Sequence, residues 1–280
     1  MREISCGAIS ELVERLCVEA ATVLPDDLCR TILKAREMET SPVGVGILQD
    51  IADNFALAQE RGVPICQDTG MAVVFLELGQ EVHITGGNLR DAVNRGVHNG
   101  YLNGALRCSV VQDPLRRVNT GDNTPAVLHV EIVEGDTFRV TIAPKGFGSE
   151  NMSAMKMFTP AASRENIEDW IVSCVNTAGS NPCPPVIVGV GIGGTIEQCA
   201  LEAKMALLMP MDAPNPDPYY RDMEENTLNK INALGIGPQG MGGRITALGI
   251  HIRPYPTHIA GLPCVVNMSW HATRHAAGSL

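Results

Sequence analysis

The sequence is poor in aromatic residues and has no long apolar run. Phe, Tyr and Trp make up 4% of its 280 residues, which is too few for the stacking platforms that bind single-stranded nucleic acids. No stretch of about 18 consecutive apolar residues occurs, so no membrane-spanning helix is predicted. The formal net charge of -10 also argues against a nucleic-acid surface. We therefore expect neither a nucleic acid nor a membrane among the partners.

The chain also lacks paired cysteine motifs. Its 9 cysteines include no C-x-x-C pair, which excludes a zinc ribbon and a thioredoxin-like redox motif. Residues 1–5 lead into an amphipathic helical pattern and not into an apolar signal core, so we expect a cytoplasmic protein. In that compartment cysteines serve as reduced thiols, metal ligands or catalytic groups, and not as a disulfide framework. Cys17 and Cys199 lie on apolar helical faces, where we expect core residues.

A different cysteine stands in a polar turn. Residues 66–70, CQDTG, set a thiol, an amide, a carboxylate and a hydroxyl side by side and close with a glycine. They lie between a helical pattern that ends at Arg61 and an apolar, strand-like run over 71–78. Such junction loops often hold functional side chains, because the flanking elements fix them in place. The pentapeptide alone is equally compatible with a plain turn that contains a free thiol.

The hydrophobic pattern predicts an α+β protein whose first part is helical. Helical periodicity covers about residues 8–24, 26–38 and 43–61. Mixed sheets with interleaved helices are expected over 63–280. We treat residues 1–280 as one domain.

Several elements can be predicted within the mixed part. Residues 126–133 and 137–143 alternate on both sides of a short turn, which predicts a β-hairpin. A helix is predicted near 88–103. The last predicted strand covers 262–268. Among the histidines, His258 is the best acid/base candidate, because it stands in a turn beside glycine and proline.

Two glycine-rich segments are further candidates for binding sites. The pattern G-x-G-x-x-G at 189–194 follows a predicted buried strand and precedes a predicted helix, as in a dinucleotide fingerprint. The next residues, MPMDAPNPDP at 209–218, cannot form the second parallel strand of that fold. We therefore interpret these glycines as positions where another group, for instance a carboxylate at the start of the helix, can come close to the backbone. Residues 144–151, PKGFGSEN, could bring backbone amides and a lysine close to an anion, or form a plain connection.

Taken together and in order, these motifs resemble the iron-sulfur (class I) fumarate hydratase and tartrate dehydratase family. The resemblance extends over nearly the full chain. Within this family, the chain most resembles the alpha subunit of the two-subunit forms. The segment PKGFGSENMS is closer to the fumarate type than to the tartrate type. The matching motifs are CQDTG at 66–70, NTG at 119–121, PKGFGSENMS at 144–153, CPP at 183–185, GIGGT at 191–195, GIGPQGMGG at 235–243 and HIAGLP at 258–263.

The resemblance implies a hydro-lyase that adds water to, or removes it from, a small dicarboxylate, with fumarate and malate first and tartrate next. It also implies a fold of the class I fumarase alpha-domain type and a four-iron four-sulfur (4Fe-4S) cluster held by three cysteines, of which Cys66 and Cys183 match two. A beta subunit completes the substrate site in this family. The resemblance therefore implies a hetero-oligomer, and we expect the chain to be inactive by itself.

The resemblance also assigns residues to the substrate. Asp68 and His258 match the positions that can move protons, and an arginine can hold a carboxylate in a bidentate fork. The arginine in question, Arg107, could equally form an ion pair at the surface. The matched substrate-binding positions are Gln67, Arg107 and Gly148.

One position departs from the family pattern, since the third cysteine ligand falls on Trp270. Tryptophan cannot ligate iron, because its indole N–H is only a donor. Cys264 lies six residues earlier, near the start of the last predicted strand, which displaces it by roughly 20 Å. His271 is adjacent, but neighbouring residues on a strand point to opposite faces.

Three hypotheses follow from this departure. The chain could bind a cluster through an unusual third ligand or an altered local path. It could be a cluster-free paralogue that acts as a structural, regulatory or dicarboxylate-binding subunit. It could also use Arg107, Asp68 and His258 for an acid/base reaction that does not require iron.

Overall fold

The computed structural model describes residues 2–280, and the chain folds into two compact units. Unit 1 comprises the residues up to Pro25, together with Phe55–Phe147 and Arg274–Leu280. Unit 2 comprises Asp26–Asn54 and Gly148–Thr273. Each unit is therefore assembled from segments that are distant in the sequence. The assignment of 1–280 to one domain stays a prediction.

The elements form an α+β fold, as predicted, and most of them begin and end close to the predicted bounds. No helix of residues 2–280 has the length and apolar character needed to cross a membrane. The helices are α1 (Cys6–Thr22), α2 (Asp26–Met38), α3 (Pro42–Arg61), α4 (Leu89–Asn103), α5 (Phe147–Glu150), α6 (Arg164–Ala178), α7 (Ile196–Ala206) and α8 (Pro218–Asn232). The strands are β1 (Arg2–Ser5), β2 (Met71–Gly79), β3 (Val82–Thr85), β4 (Val127–Val133), β5 (Phe138–Lys145), β6 (Ala154–Phe158), β7 (Val186–Gly193), β8 (Ala247–Tyr255), β9 (Leu262–Ser269) and β10 (Ala276–Ser279).

Several helices begin at a short polar side chain. The Ser5 hydroxyl accepts a hydrogen bond of 3.2 Å from an amide in the first turn of α1. Asn88 Oδ1 accepts one of 2.9 Å at the start of α4. Ser163 and Asn166 form a reciprocal capping box at the start of α6. Because the first amides of a helix have no partner within the helix, these caps determine where each helix begins.

Unit 1 contains a four-stranded sheet in the order β10-β5-β2-β4 and a small parallel pair, β1 with β3. Strand β2 pairs in parallel with β4 and in antiparallel fashion with β5. The predicted hairpin of residues 126–133 and 137–143 is therefore wrong, although both strands form. The apolar strand β2 lies between them, so that neither of its edges is left unpaired.

The core of unit 1 is closed by helices. Helix α1 packs against α4, β5 and β10. The close approach of α1 and α4 requires glycine, because a Cβ on Gly96 would lie 2.6 Å from the Ser10 carbonyl oxygen. Cys17 belongs to this core with 1% of its surface exposed, which confirms its predicted role. Burial, with a smaller effect of Glu14, raises the pKa of Cys17 to about 12.

Unit 2 contains a second four-stranded sheet, in the order β6-β9-β7-β8. Every residue of β7 is buried, because α7 covers one face and the core that includes α6 and α8 covers the other. A Cβ on Gly191 would lie 2.1 Å from the Cys199 carbonyl oxygen, and one on Gly189 would lie 2.2 Å from that of Ala203. The glycines therefore permit α7 to pack on β7. Cys199 is fully buried, as predicted.

The sheet of unit 2 also decides against a dinucleotide-binding fold. Strand β7 runs parallel to β8 but antiparallel to β9. A dinucleotide-binding fold needs mostly parallel strands around its glycine-rich turn. The proline-rich segment at 209–218 contains no strand, which confirms the sequence argument against this fold.

Candidate active site

The 66–70 turn lies in unit 1 between α3 and β2. Cys66 and Asp68 are half-buried and Gln67 is exposed, whereas Thr69 and Gly70 are buried. Cys66 Sγ lies 3.2 Å from Gln67 Oε1. The turn therefore presents its thiol, amide and carboxylate near the surface and anchors its last two residues in the interior.

Both carboxylate oxygens of Asp68 are held by backbone amides. Oδ1 accepts a hydrogen bond of 3.0 Å from Gly70, and Oδ2 accepts one of 3.0 Å from Phe147. Phe147 belongs to the segment 144–151, whose amides we expected near an anion. The anion that this amide contacts is the Asp68 carboxylate itself. These two bonds fix the orientation of the carboxylate.

Three buried side chains bind consecutive carbonyl groups of the turn from the interior, and we call them the turn support. The Tyr101 hydroxyl donates to the carbonyls of Thr69 and Gly70, at 2.9 and 3.1 Å. Asn123 Nδ2 donates to Gly70 O at 3.1 Å, and Arg274 Nη2 donates to Asp68 O at 2.7 Å. Exposed fractions are 1% for Tyr101, 0% for Asn123 and 2% for Arg274. The turn is therefore a rigidly supported structure.

The turn support was not predicted from the sequence. Asn123 follows the NTG motif closely, so this motif was a usable signal. Nothing in the sequence near Tyr101 or Arg274 indicates that either side chain reaches the turn. Burial lowers the pKa of Arg274, while neighbouring Cys66, Tyr101 and Asp68 act in the opposite direction.

Arg107 is attached to the same turn through its backbone. The Thr69 hydroxyl donates a hydrogen bond of 3.0 Å to the Arg107 carbonyl oxygen. The Arg107 side chain is exposed, and no carboxylate in the part of the chain that the structure describes forms an ion pair with it. The alternative of a surface ion pair for Arg107 is therefore not formed among residues 2–280. Cys66, Gln67 and Asp68 thus lie in unit 1 on a turn whose Thr69 is hydrogen-bonded to the backbone of Arg107.

In unit 2, Cys183 lies in the loop between α6 and β7. Its side chain is exposed, and its φ of 55° lies in the left-handed region, which is costly for a residue with a Cβ. His271 Nδ1 lies 3.0 Å from the Cys183 carbonyl oxygen and 3.0 Å from Gln239 Nε2. Gln239 Nε2 also donates to Pro184 O at 2.9 Å. The loop of Cys183 and the segment of His271 are thus joined within unit 2.

Trp270 follows the end of β9 and begins a turn. Its carbonyl oxygen accepts hydrogen bonds from the Thr273 amide at 3.0 Å and hydroxyl at 2.7 Å. Because β9 ends at Ser269, the alternation argument that we applied to His271 does not hold. The indole is buried, with 5% exposed. Cys264 lies on β9 with none of its surface exposed and belongs to the core of unit 2.

Two further predicted residues lie in unit 2. His258 is exposed in the turn after β8, and its Nδ1 accepts a hydrogen bond of 3.1 Å from the Ala260 amide. Gly148 is exposed and has no positive φ. A Cβ on Gly148 would meet the Asn181 carbonyl oxygen at 3.7 Å, an ordinary contact. Neither backbone conformation nor packing within unit 2 therefore explains why this residue is a glycine.

These arrangements agree with what sequence comparison finds. The sequence model of the family described as fumarate hydratase (Fumerase) matches residues 10–279. The chain belongs to the fumarate hydratase family. The resemblance inferred from the motifs is thereby confirmed, and the family's enzyme class is that of the hydro-lyases.

Individual relatives of this chain carry tartrate dehydratase names. A protein of Methanocaldococcus jannaschii, provisionally named L(+)-tartrate dehydratase subunit alpha, is 38% identical over 275 residues, which cover 96% of both chains. The L(+)-tartrate dehydratase subunit alpha of Escherichia coli O157:H7 is 29% identical over 283 residues, covering 100% of this chain and 92% of the relative. The protein of that name from Shigella boydii serotype 4 matches to the same extent.

The donor set of this chain does not fit the three-cysteine cluster that membership of the fumarate hydratase family implies. Cys66 and Cys183 carry thiols that are not part of either core. The resemblance places the third ligand at Trp270, which is buried and whose indole N–H is only a donor. Within residues 2–280 no group of three or more His, Cys, Asp and Glu side chains is placed to hold a metal ion. With the third ligand position assigned to Trp270, the described residues therefore offer two of the three cysteine ligands that the resemblance implies.

Proposed function

We propose that this chain is the alpha subunit of a hydro-lyase that acts on a small dicarboxylate. The observation that carries the proposal is the 66–70 turn, which presents Cys66, Gln67 and Asp68 near the surface on a backbone held from the interior. Fumarate and malate are our first substrate pair, since PKGFGSENMS at 144–153 is closer to the fumarate type. Tartrate is the second candidate, because the relatives carry that name. Their designation as alpha subunits supports a beta subunit as the partner.

Arg107 is our candidate for binding a substrate carboxylate. Its exposed guanidinium has no ion-pair partner within the described chain. A planar guanidinium can donate two parallel hydrogen bonds to one carboxylate, which fixes its orientation as well as its charge. The side-chain amide of Gln67, which is exposed on the 66–70 turn, offers the substrate a further hydrogen-bond donor. We also assign Gly148 to substrate binding, because the absence of a Cβ leaves room that packing does not use.

Asp68 and His258 are our candidates for proton transfer. In dehydration a base removes a proton from the carbon next to a carboxylate, the adjacent C–O bond breaks, and an acid protonates the departing hydroxyl to give water. Hydration is the reverse. Asp68 suits such a role because two amides hold its oxygens in one orientation. His258 suits it because its imidazole is exposed.

Trp270 favours a second candidate function. If the chain holds no cluster, it acts as a structural, regulatory or dicarboxylate-binding subunit beside a beta-like partner, or as an acid/base enzyme that does not require iron. If it does hold one, Cys66 and Cys183 supply two ligands and the third is not a cysteine. Such a cluster, if bound, would supply a Lewis acid.

The decisive experiment combines activity with iron analysis. The chain is purified anaerobically, alone and with its beta subunit, and conversion of fumarate, malate and tartrate is measured before and after reconstitution with iron and sulfide. We expect conversion by the mixture and none by the chain alone. If the mixture converts no dicarboxylate after reconstitution, the hydro-lyase proposal is wrong. Calorimetric binding of a dicarboxylate by that inactive mixture would then support the second candidate.

A substitution at Trp270 distinguishes a subunit that binds a cluster from one that does not. Trp270→Cys restores the expected third thiol, and Trp170→Cys adds a thiol on α6 as the matched control. Iron and sulfide bound only by Trp270→Cys would show that Trp270 prevents cluster binding. Equal iron and sulfide in the unaltered chain would show that a non-cysteine ligand suffices.

A further inference from the structure

Arg274 is a buried arginine that the proposed reaction does not use. It lies in unit 1 two residues before β10, and only 2% of its surface is exposed. A guanidinium carries a permanent charge, and its burial is costly unless its donors and its charge are satisfied. The groups that contact Arg274 therefore indicate its role.

Those groups belong to the 66–70 turn and its support. Nη2 donates a hydrogen bond of 2.7 Å to the Asp68 carbonyl oxygen. The Cys66 side chain is a further hydrogen-bond partner of the guanidinium, and Tyr101 and Asp68 interact with it electrostatically. One side chain thus contacts the turn at Cys66 and at Asp68, on either side of Gln67.

We propose that Arg274 is a positioning residue that holds the 66–70 turn so that Cys66 and Asp68 keep one orientation. Tyr101 and Asn123 bind the carbonyls of Thr69 and Gly70, which anchor the far end of the turn. Among the hydrogen bonds that the turn support makes to backbone carbonyls of the described chain, the one to Asp68, at the end with the candidate functional groups, comes from Arg274. The proposal rests on the proposed function for the use of Asp68 in catalysis, but the hydrogen bonds do not depend on that use.

Arginine suits this position better than lysine. Its rigid fork presents donors in several fixed directions, so one side chain can bind a carbonyl oxygen and approach a sulfur at once. A lysine in the same place has a single nitrogen and could replace only part of these interactions. The conservative substitution is therefore informative.

The test is amide hydrogen exchange at single-residue resolution in the chain without substrate. The amides of Gly70 and Phe147 donate to the two oxygens of the Asp68 carboxylate, so their exchange reports directly on its orientation. In Arg274→Met we expect both amides to exchange at least about tenfold faster. Amides in the centre of β5 should keep their exchange rates. Arg274→Lys should fall between, and Arg95→Met, at an exposed position on α4, should match the unaltered chain.

Each other outcome contradicts the proposal. Unchanged exchange at Gly70 and Phe147 in folded Arg274→Met would show that Arg274 does not hold the carboxylate. Equal acceleration in β5 would show a general structural role. If Arg274→Met does not fold, Arg274→Lys decides by the same two amides. Because no substrate is used, the result stands even if the chain proves to have no hydro-lyase activity.

Activity supplies a second readout if the proposed function holds. In the mixture with the beta subunit, Arg274→Met should lower kcat by at least about tenfold and change KM by less, because it displaces Asp68 and leaves Arg107 in place. Arg274→Lys should recover part of kcat. A rise in KM with unchanged kcat would contradict positioning of the proton-transfer group.

Discussion

Arg274 Nη2 donates a 2.7 Å hydrogen bond to the carbonyl oxygen of Asp68, 206 positions earlier in the sequence. The Phe147 amide, which follows β5, binds the carboxylate of the same aspartate at 3.0 Å. Strands β5 and β10 are neighbours in the sheet of unit 1. The pairing of these two strands therefore brings both donors to Asp68, so the geometry of the turn depends on the sheet.

Gly148→Ala should lower activity without lowering stability. The added Cβ would make only an ordinary contact, at 3.7 Å from the Asn181 carbonyl oxygen. We therefore expect the free energy of unfolding to change by less than about 0.5 kcal/mol. If a substrate approaches this glycine, kcat/KM of the mixture with the beta subunit should fall by about tenfold or more. Urea unfolding and steady-state kinetics measure the two effects, and full activity would remove Gly148 from the substrate site.

Tyr101→Phe should destabilise unit 1. The hydroxyl donates to the carbonyls of Thr69 and Gly70, and burial raises the pKa of Tyr101, so the donor stays protonated. Its loss leaves the buried Thr69 carbonyl without this donor, which should cost about 1–2 kcal/mol. Urea unfolding measures the change. The control is Tyr219→Phe, at an exposed tyrosine, which should lose less than about 0.5 kcal/mol.

His251 should make unit 2 less stable in mild acid. It lies on β8 with 5% exposed, and neither ring nitrogen has a hydrogen-bond partner among the described residues. Burial lowers its pKa from 6.5, and Asp27 opposes the shift only in part. As the pH falls below 6.5, the unfolded chain binds a proton that the folded chain does not. Stability is therefore lost from pH 6.5 downwards until the lowered pKa is reached.

The measurement is urea unfolding as a function of pH. This histidine contributes a slope of at most about 1.4 kcal/mol per pH unit. His251→Leu should remove that contribution, whereas His83→Gln, at an exposed strand position, should leave it in place. An unchanged slope in His251→Leu would contradict the assignment.

Gly191→Ala should destabilise unit 2 because α7 has no room to yield. The new Cβ would lie 2.1 Å from the Cys199 carbonyl oxygen, so helix and strand would have to separate. We expect a loss of about 2–3 kcal/mol in the free energy of unfolding. Gly46→Ala is the matched control on α3, where no atom lies within 4 Å of the new Cβ. That variant should be stabilised by about 0.5–1 kcal/mol, and equal stability of the two variants would contradict close packing of α7 on β7.

Local elements could be predicted from the sequence because their signals are local. The periodicity of α1 to α4, the apolar run of β2 and the proline-rich segment at 209–218 each depend on neighbouring residues. The order of strands in a sheet could not be predicted in this way, because it depends on which strand edges the rest of the fold covers. The two alternating segments at 126–133 and 137–143 were expected to pair with each other, but β2 offers both of them a more buried partner.

The candidate site divides in the same way. Cys66, Asp68 and Gly70 could be recognised as a polar turn from five adjacent residues, and the ordered motifs indicated the family. By itself, the sequence determined the chemical groups of the turn, and its resemblance to the family predicts that Trp270 replaces a third cysteine. Only the tertiary structure decided that Arg274, Tyr101 and Asn123 hold the turn. A hydrogen bond between residues 206 positions apart has no local pattern, because it forms only after the sheet has brought its two ends together.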